Sequence, residues 1–155
     1  MKKIMFVCMG NICRSPLAQA IFEAIVRREG AVSRYRADSS GTIAYHAGES
    51  ADDRMREVAD RHGVSIHHRA QHLEKHHLDE FDLVLCMDRD NLVDARRLAK
   101  TDAASSKIAL LRDYDPEGGG DVPDPYYGGP SGFENVYAIV SRSCEALFNA
   151  LEQQS

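Results

Sequence analysis

The sequence predicts an α/β protein: a four-stranded parallel sheet with helices on both faces, a three-layer sandwich. Three observations carry that expectation. Apolar runs of strand length alternate along the chain with longer runs whose apolar residues recur at helical spacing. Strands joined through helices pair in parallel, by right-handed crossovers that cover both faces of the sheet. The 155 residues show no internal repeat, and their number suits one substantial core. Residues 1–155 are therefore expected to form a single domain.

Lys3 to Cys8 reads as a fully buried strand, Ile4, Met5, Phe6 and Val7 following one another without a polar break. A helix follows, with Leu17, Ala20, Ile21, Ala24 and Ile25 on one face. Ser15 suits its N-cap and Pro16 its first helical position, and Glu29-Gly30 ends it. Tyr35 to Ser39 is a weaker second strand. A helix over 51–62 turns Met55, Val58 and Ala59 inward and stops at Gly63. Residues 64–77 are mostly polar, with a short helix expected over 73–78. Asp82 to Met87 is a buried strand, and Asp88 can cap the helix in which Leu92, Ala95, Leu98 and Ala99 repeat. Ile108 to Leu111 is the fourth strand. Residues 112–130 form a long loop rich in Gly, Pro and Asp. The last helix, 133–151, carries Val136, Tyr137, Val140, Cys144, Leu147 and Leu151 on one stripe. This is a flavodoxin-like order, in which ligands bind at the carboxyl ends of the strands.

Composition excludes several classes. Apolar residues make up 43% and charged residues 28%, the balance of a soluble globular protein. A net charge of −5 without an extended basic stretch argues against bulk nucleic-acid binding. The apolar run ending at Met9 is too short to cross a membrane, and no small-residue cleavage site follows it, so a cytoplasmic location is expected. Cys8, Cys13, Cys86 and Cys144 lie on predicted strands, a loop and a helix, a reduced-compartment pattern rather than a disulfide framework. Among the seven histidines, His67, His68, His72, His76 and His77 cluster, and His72 with His76 has i, i+4 spacing. Without Cys-x-x-Cys or His-Glu-x-x-His, a polar helix surface explains them and no metal is expected.

The chemistry concentrates in Val7-Cys8-Met9-Gly10-Asn11-Ile12-Cys13-Arg14-Ser15-Pro16, a strand end, a tight loop and a helix start. A cysteine, five residues and an arginine let the loop N–H groups of Met9 to Cys13 cradle a tetrahedral dianion. The guanidinium grips two of its oxygens, and the sulfur lies beneath. Gly10 permits backbone angles closed to other residues, and Asn11 tolerates positive φ. The positive end of the helix dipole, with Arg14, favours a thiolate at Cys8 with a pKa below the ~8.5 of a free thiol. Such a thiolate is a ready nucleophile for phosphorus. The leaving oxygen of a phosphate ester needs a proton, and Asp113, Asp115, Asp121 and Asp124 in the long loop are candidates to give it. Pro123 and Pro125 stiffen the chain around Asp124, and Tyr126 and Tyr127 can wall a slot for an aromatic ring.

The Cys8 to Pro16 run resembles that of the low-molecular-weight protein tyrosine phosphatases. The likeness continues through Asp38-Ser39, Cys86-Met87-Asp88, Asn91 and Asp124-Pro125-Tyr126-Tyr127-Gly128. The resemblance implies Cys8 as nucleophile, Arg14 as phosphate ligand and Asp124 as general acid, with Asp121 in reserve. It further implies that Ser15 donates to the sulfur and that Asn11 holds the loop's shape, supported by Ser39 and His68. Tyr45 aligns with an aromatic rim residue of the family and would sandwich the substrate ring with Tyr126 and Tyr127. Ile12 stands where related arginine phosphatases have threonine. The implied substrate is a phosphotyrosine-containing protein, with a tyrosine kinase as a fitting partner, no cofactor, and a monomer or weak dimer as the working unit. Gln71 departs from the family pattern, in which an arginine is frequent, and Arg69 is the residue that could replace its salt bridge. Cys13 is either a small packed residue or a partner that captures oxidised Cys8 as a disulfide.

Rival readings are an arginine phosphatase or an arsenate reductase on the same fold, and, outside enzymes, a metal-binding module or a catalytically dead phosphotyrosine-binding domain. Arsenate reduction needs a relay of further cysteines, whereas Cys86 and Cys144 are expected in the core. Intact Cys8, Arg14 and Asp124 argue against the dead domain.

Overall fold

A computed structural model describes residues 1–154; Ser155, the last residue of the expected domain, lies outside the described residues. The elements run β1 (Lys2–Cys8), α1 (Arg14–Arg28), β2 (Tyr35–Gly41), α2 (Asp53–Arg61), α3 (Lys75–Glu80), β3 (Leu83–Cys86), α4 (Arg89–Leu98), α5 (Asp102–Ser105), β4 (Ile108–Leu110) and α6 (Gly132–Gln153). The strands form one parallel sheet in the order β2-β1-β3-β4. Because side chains alternate across a strand, β1 feeds both faces. Ile4, Phe6 and Cys8 join the core built with α1, α2 and α6, while Met5 and Val7 pack with Leu78, Val84, Cys86 and Ala95 on the other side. That alternation is why β1 carries no polar residue between Ile4 and Cys8. No helix among the described residues is long and apolar enough to cross a membrane.

The expected elements are present, with four local differences. Ser15 is not the N-cap of α1. The helix starts at Arg14, with Cys13 in the capping position and no side-chain cap bond. Ser15 is therefore inside the first turn, completely buried, and its hydroxyl is free for another partner. The segment after α2 is polar at its surface yet sends Val64, Ile66, Ala70 and Leu73 into the interior. His72 lies there in extended chain bridged to Gly41, and α3 begins only at Lys75, so His72 and His76 do not share a helix face. The short α5, capped by the Thr101 hydroxyl, is absent from the sequence expectation, since four residues are too few to show a period. Finally, the long loop contains three single turns, Leu111–Tyr114, Pro125–Tyr127 and Gly129–Ser131.

The loop between β4 and α6 is tied down at both ends of its path. Asp115, its carboxylate fully enclosed, bonds Arg112 and, through both oxygens, Arg142 of α6. Burial raises the Asp115 pKa, but the two guanidinium groups and the Glu117 N–H outweigh it and hold the carboxyl below its usual range. Further on, the Val122 N–H donates to the Met87 carbonyl just beyond β3. The loop is thereby laid across the carboxyl end of the sheet.

Candidate active site

Cys8 ends β1 with its side chain buried under the loop 9–13. Its sulfur accepts the Asn11 N–H at 3.2 Å and lies 2.9 Å from the Ser15 hydroxyl. Asn11 takes φ +57°, the one positive φ of a non-glycine among the described residues. The sequence assigned unusual backbone angles to Gly10. Gly10 does not take a positive φ; a Cβ there would stand 3.0 Å from the His46 ring, which would have to give way by a few tenths of an ångström. Gly41, at the end of β2, allows a still closer approach, its Cβ position lying 2.6 Å from the Met9 carbonyl oxygen.

Hydrogen bonding fixes the loop's interior. The Asn11 Oδ1 accepts from His68 Nε2 at 2.8 Å and from the Gln71 N–H at 2.9 Å. Its Nδ2 therefore points the other way and donates to Ser15 Oγ at 2.8 Å. With its oxygen so engaged, Ser15 has one proton to give. The sulfur at 2.9 Å is a nearer acceptor than the Ser40 carbonyl at 3.5 Å. His68, bonded to Asn11 through one ring nitrogen, has the other 3.6 Å from Asp38. Ser39 reaches the loop only through intermediaries: its hydroxyl donates to Gln19, its carbonyl accepts the Gln71 side-chain amide, and its backbone bonds His68. Gln71 thus supports the loop with its backbone and clamps β2 with its side chain. Among the described residues Arg69 makes no salt bridge and donates to the Gly48 carbonyl instead.

Arg14 is buried at the mouth of α1. Its Nη1 donates to Asp88 at 2.8 Å and to the Val122 carbonyl at 3.0 Å. Burial opposes its charge, but the Cys8 sulfur and the Asp88 carboxylate more than compensate and raise its pKa. Asp88 also caps α4 in a reciprocal pair with Asn91, so the carboxylate that orients Arg14 is itself held by β3 and α4.

A cavity of about 300 Å³ opens above the sulfur, lined by Cys8, Met9, Gly10, Ile12, Cys13, Arg14, His46, Asp124, Pro125 and Tyr126. Of the acidic candidates only Asp124 borders it. Asp124 caps the turn Pro125–Tyr127, its Oδ1 accepting the Tyr126 N–H at 3.0 Å. Asp121 is engaged elsewhere, by the Arg89 N–H. Asp113 accepts from the Leu110 N–H, and Asp115 is locked in its arginine clamp. Asn11 and Ser15 lie behind the cradle rather than on its surface, both almost wholly buried.

The aromatic rim differs from the expectation. Tyr126 is on the wall, but Tyr127 is 89% exposed and Tyr45 is 82% exposed, and neither borders the cavity. His46 stands where Tyr45 was expected. Tyr45 packs edge-on against the His46 ring, 4.8 Å between centroids, and Glu49 holds Nδ1 at 3.0 Å. Other contributors the sequence did not single out are Val122 and the Asp52-Arg54 pair at the start of α2. Only Asp52 carried a signal, as an acidic residue at a helix start.

Cys13 is buried on the cavity wall and donates through its thiol to the Tyr126 hydroxyl at 3.4 Å. Burial pushes its pKa up to about 12, so it is a neutral thiol. Cys86 and Cys144 are fully buried, and burial pushes the Cys86 thiol up to about 12 as well. Neither offers an accessible thiol for an arsenate-type relay. No group of His, Cys, Asp and Glu among the described residues could hold a metal ion.

Fold and site together describe an α/β domain with a thiol at the carboxyl end of an inner strand, beneath a loop whose Asn11 N–H it accepts and in one cavity with a buried arginine. A sequence model described as low molecular weight phosphotyrosine protein phosphatase matches residues 3–155. A low molecular weight protein-tyrosine-phosphatase of Streptomyces coelicolor is 43% identical over 98% of this chain and 94% of its own. The human low molecular weight phosphotyrosine protein phosphatase is 40% identical over 94% and 93%. Among solved structures, a protein tyrosine phosphatase of Entamoeba histolytica superposes with a TM-score of 0.95 at 35% identity, covering 99% of both chains. The chain belongs to the low molecular weight phosphotyrosine protein phosphatase family.

Proposed function

We propose that the protein hydrolyses phosphotyrosine in protein substrates through a phosphocysteine on Cys8. The observation that carries this reading is the environment of one sulfur. It accepts a backbone N–H and faces a hydroxyl at the mouth of α1, with Arg14 and Asp124 bordering the cavity above it.

In the first step the Cys8 thiolate attacks phosphorus. The loop N–H groups and the remaining guanidinium donors of Arg14 bind the equatorial oxygens, and protonated Asp124 gives its proton to the departing phenolate oxygen. The S–P bond forms as the P–O bond to tyrosine breaks. In the second step Asp124, now a carboxylate, takes a proton from water as the water oxygen attacks phosphorus. The S–P bond breaks and inorganic phosphate leaves. Ser15 donates to the sulfur and so stabilises it as the leaving group. Positive charge comes from Arg14 and the amide dipoles, so no cofactor takes part.

Ile12 and Tyr126 give the cavity apolar walls, and the sulfur at its floor suits a long phosphotyrosine side chain better than phosphoserine. The protein is read as one cytoplasmic domain acting as a monomer or weak dimer, a tyrosine kinase being the natural source of its substrates. Four free cysteines fit a reducing compartment. The test is hydrolysis of matched phosphotyrosine, phosphoarginine and phosphoserine peptides side by side. Phosphotyrosine is expected to be turned over fastest; preference for phosphoarginine would contradict the substrate assignment.

A further inference from the structure

We propose that Asp52 and Arg54, at the start of α2, are positioning residues that hold the acid-bearing turn Pro125–Tyr127 over the phosphate cradle. The inference rests on the role given to Asp124 above.

Asp52 is bonded to both sides of the active site. Its backbone N–H donates to the Ile12 carbonyl in the cradle at 2.8 Å. Its carboxylate accepts the Tyr126 hydroxyl at 2.8 Å. Tyr126 in turn donates its N–H to Asp124 Oδ1, and its hydroxyl accepts the Cys13 thiol. A continuous path of hydrogen bonds thus runs from the cradle through Asp52 and Tyr126 to the carboxyl of Asp124. Tyr126 is attached to its turn by the backbone and to α2 by its phenol, so the ring spans the gap.

Arg54 holds this span in place. Its guanidinium carbon lies 4.8 Å from the centroid of Tyr126 and 4.7 Å from that of Phe133 of α6, while it bonds both oxygens of Asp52. Planar guanidinium groups suit this double stacking, which an ammonium cannot reproduce. Arg54 is itself half exposed and borders a groove beside the active site, not the cavity above the sulfur. It cannot touch a phosphate bound at Cys8, so its effect must pass through Tyr126 and Asp124.

The test is a comparison of two leaving groups. Phenyl phosphate needs a proton on its departing oxygen, whereas 2,4-dinitrophenyl phosphate leaves readily without one. Arg54→Ala is expected to lower kcat/KM for phenyl phosphate by ~10-fold or more and for 2,4-dinitrophenyl phosphate by less than ~2-fold, with vanadate affinity nearly unchanged. Arg54→Lys should show the same selectivity to a smaller degree. Equal losses on both substrates, weakened vanadate binding, or no loss at all would overturn the proposal. Asp124→Ala, run in parallel, separates two failures. If it shows leaving-group selectivity and Arg54→Ala does not, the positioning role is wrong and the acid assignment stands. If neither shows it, both are wrong.

Discussion

The Ser15 hydroxyl lies 2.9 Å from the Cys8 sulfur, and its oxygen already accepts the Asn11 side-chain amide. When the sulfur is a thiolate it has no proton to give, so the hydroxyl is the donor and would stabilise negative charge both before attack and when the S–P bond breaks. Ser15→Ala is expected to slow breakdown of the phosphocysteine more than its formation. Rapid-quench kinetics with p-nitrophenyl phosphate should show a burst of nitrophenol followed by turnover slowed by ~10-fold or more. Slowed turnover without a burst would place the effect in the first step.

Asp124 alone among the acidic candidates borders the cavity, while Asp121 is occupied by the Arg89 N–H. Asp124→Ala should reduce kcat for p-nitrophenyl phosphate by ~10²-fold. Asp121→Asn should leave kcat within a factor of ~2–3, since it loses a loop contact and no reacting group. The reverse order of effects would exchange the two roles.

Asp115 sets a pH dependence of stability. Its carboxyl is held below the usual range by Arg142, the Glu117 N–H and Arg112, against the opposing effect of burial. A depressed folded-state pKa means that the unfolded chain binds the proton more readily. The stabilisation is therefore fully present above the unfolded value of ~3.9 and is lost as pH falls through it toward the folded value. Asp115→Asn should cost about 3 kcal/mol at neutral pH, leaving two partly exposed arginines without their carboxylate. Thermal unfolding from pH 6 to pH 3 should show a shallower decline in Tm for the variant than for the parent. Parallel curves would mean that Asp115 is not the group responsible.

Cys13 and Cys8 belong to the same loop, and both border the cavity. Peroxide converts the Cys8 thiolate to a sulfenic acid; attack by the Cys13 sulfur forms the disulfide and releases water. Dithiothreitol should then restore activity to the peroxide-treated parent and fail to restore it to Cys13→Ser. Equal recovery in both would leave Cys13 a packing residue.

What could be read from sequence was what is local. The strand, cradle and helix start occupy consecutive residues, so Cys8, Asn11 and Arg14 were placed by spacing alone. Asp88 likewise announces a capped helix, while its reciprocal bonding with Asn91 is seen only in the structure. Ser15 misled because a serine at a helix start ordinarily caps it, whereas here the sulfur and Asn11 outcompete the helix end for its hydroxyl. Tyr45 and His46 are adjacent in an irregular segment, and which of them faces the cavity depends on the turn after β2, which no periodicity encodes. The Asp52–Tyr126 bond joins residues 74 apart in the chain, and its partners have no pattern of their own. The same holds for the Val122 carbonyl on Arg14, because every residue offers a carbonyl.

In the proposed mechanism the sulfur of Cys8 carries the phosphoryl group between substrate and water. Acid quenching of Ser15→Ala during turnover of p-nitrophenyl phosphate, followed by peptide mass spectrometry, tests it directly. The peptide containing Cys8 should gain the mass of one phosphoryl group, and the gain should vanish when Cys8→Ser is added. Turnover with no phosphorylated peptide, or with the phosphoryl group on any other residue, would rule out Cys8 as the phosphoryl carrier.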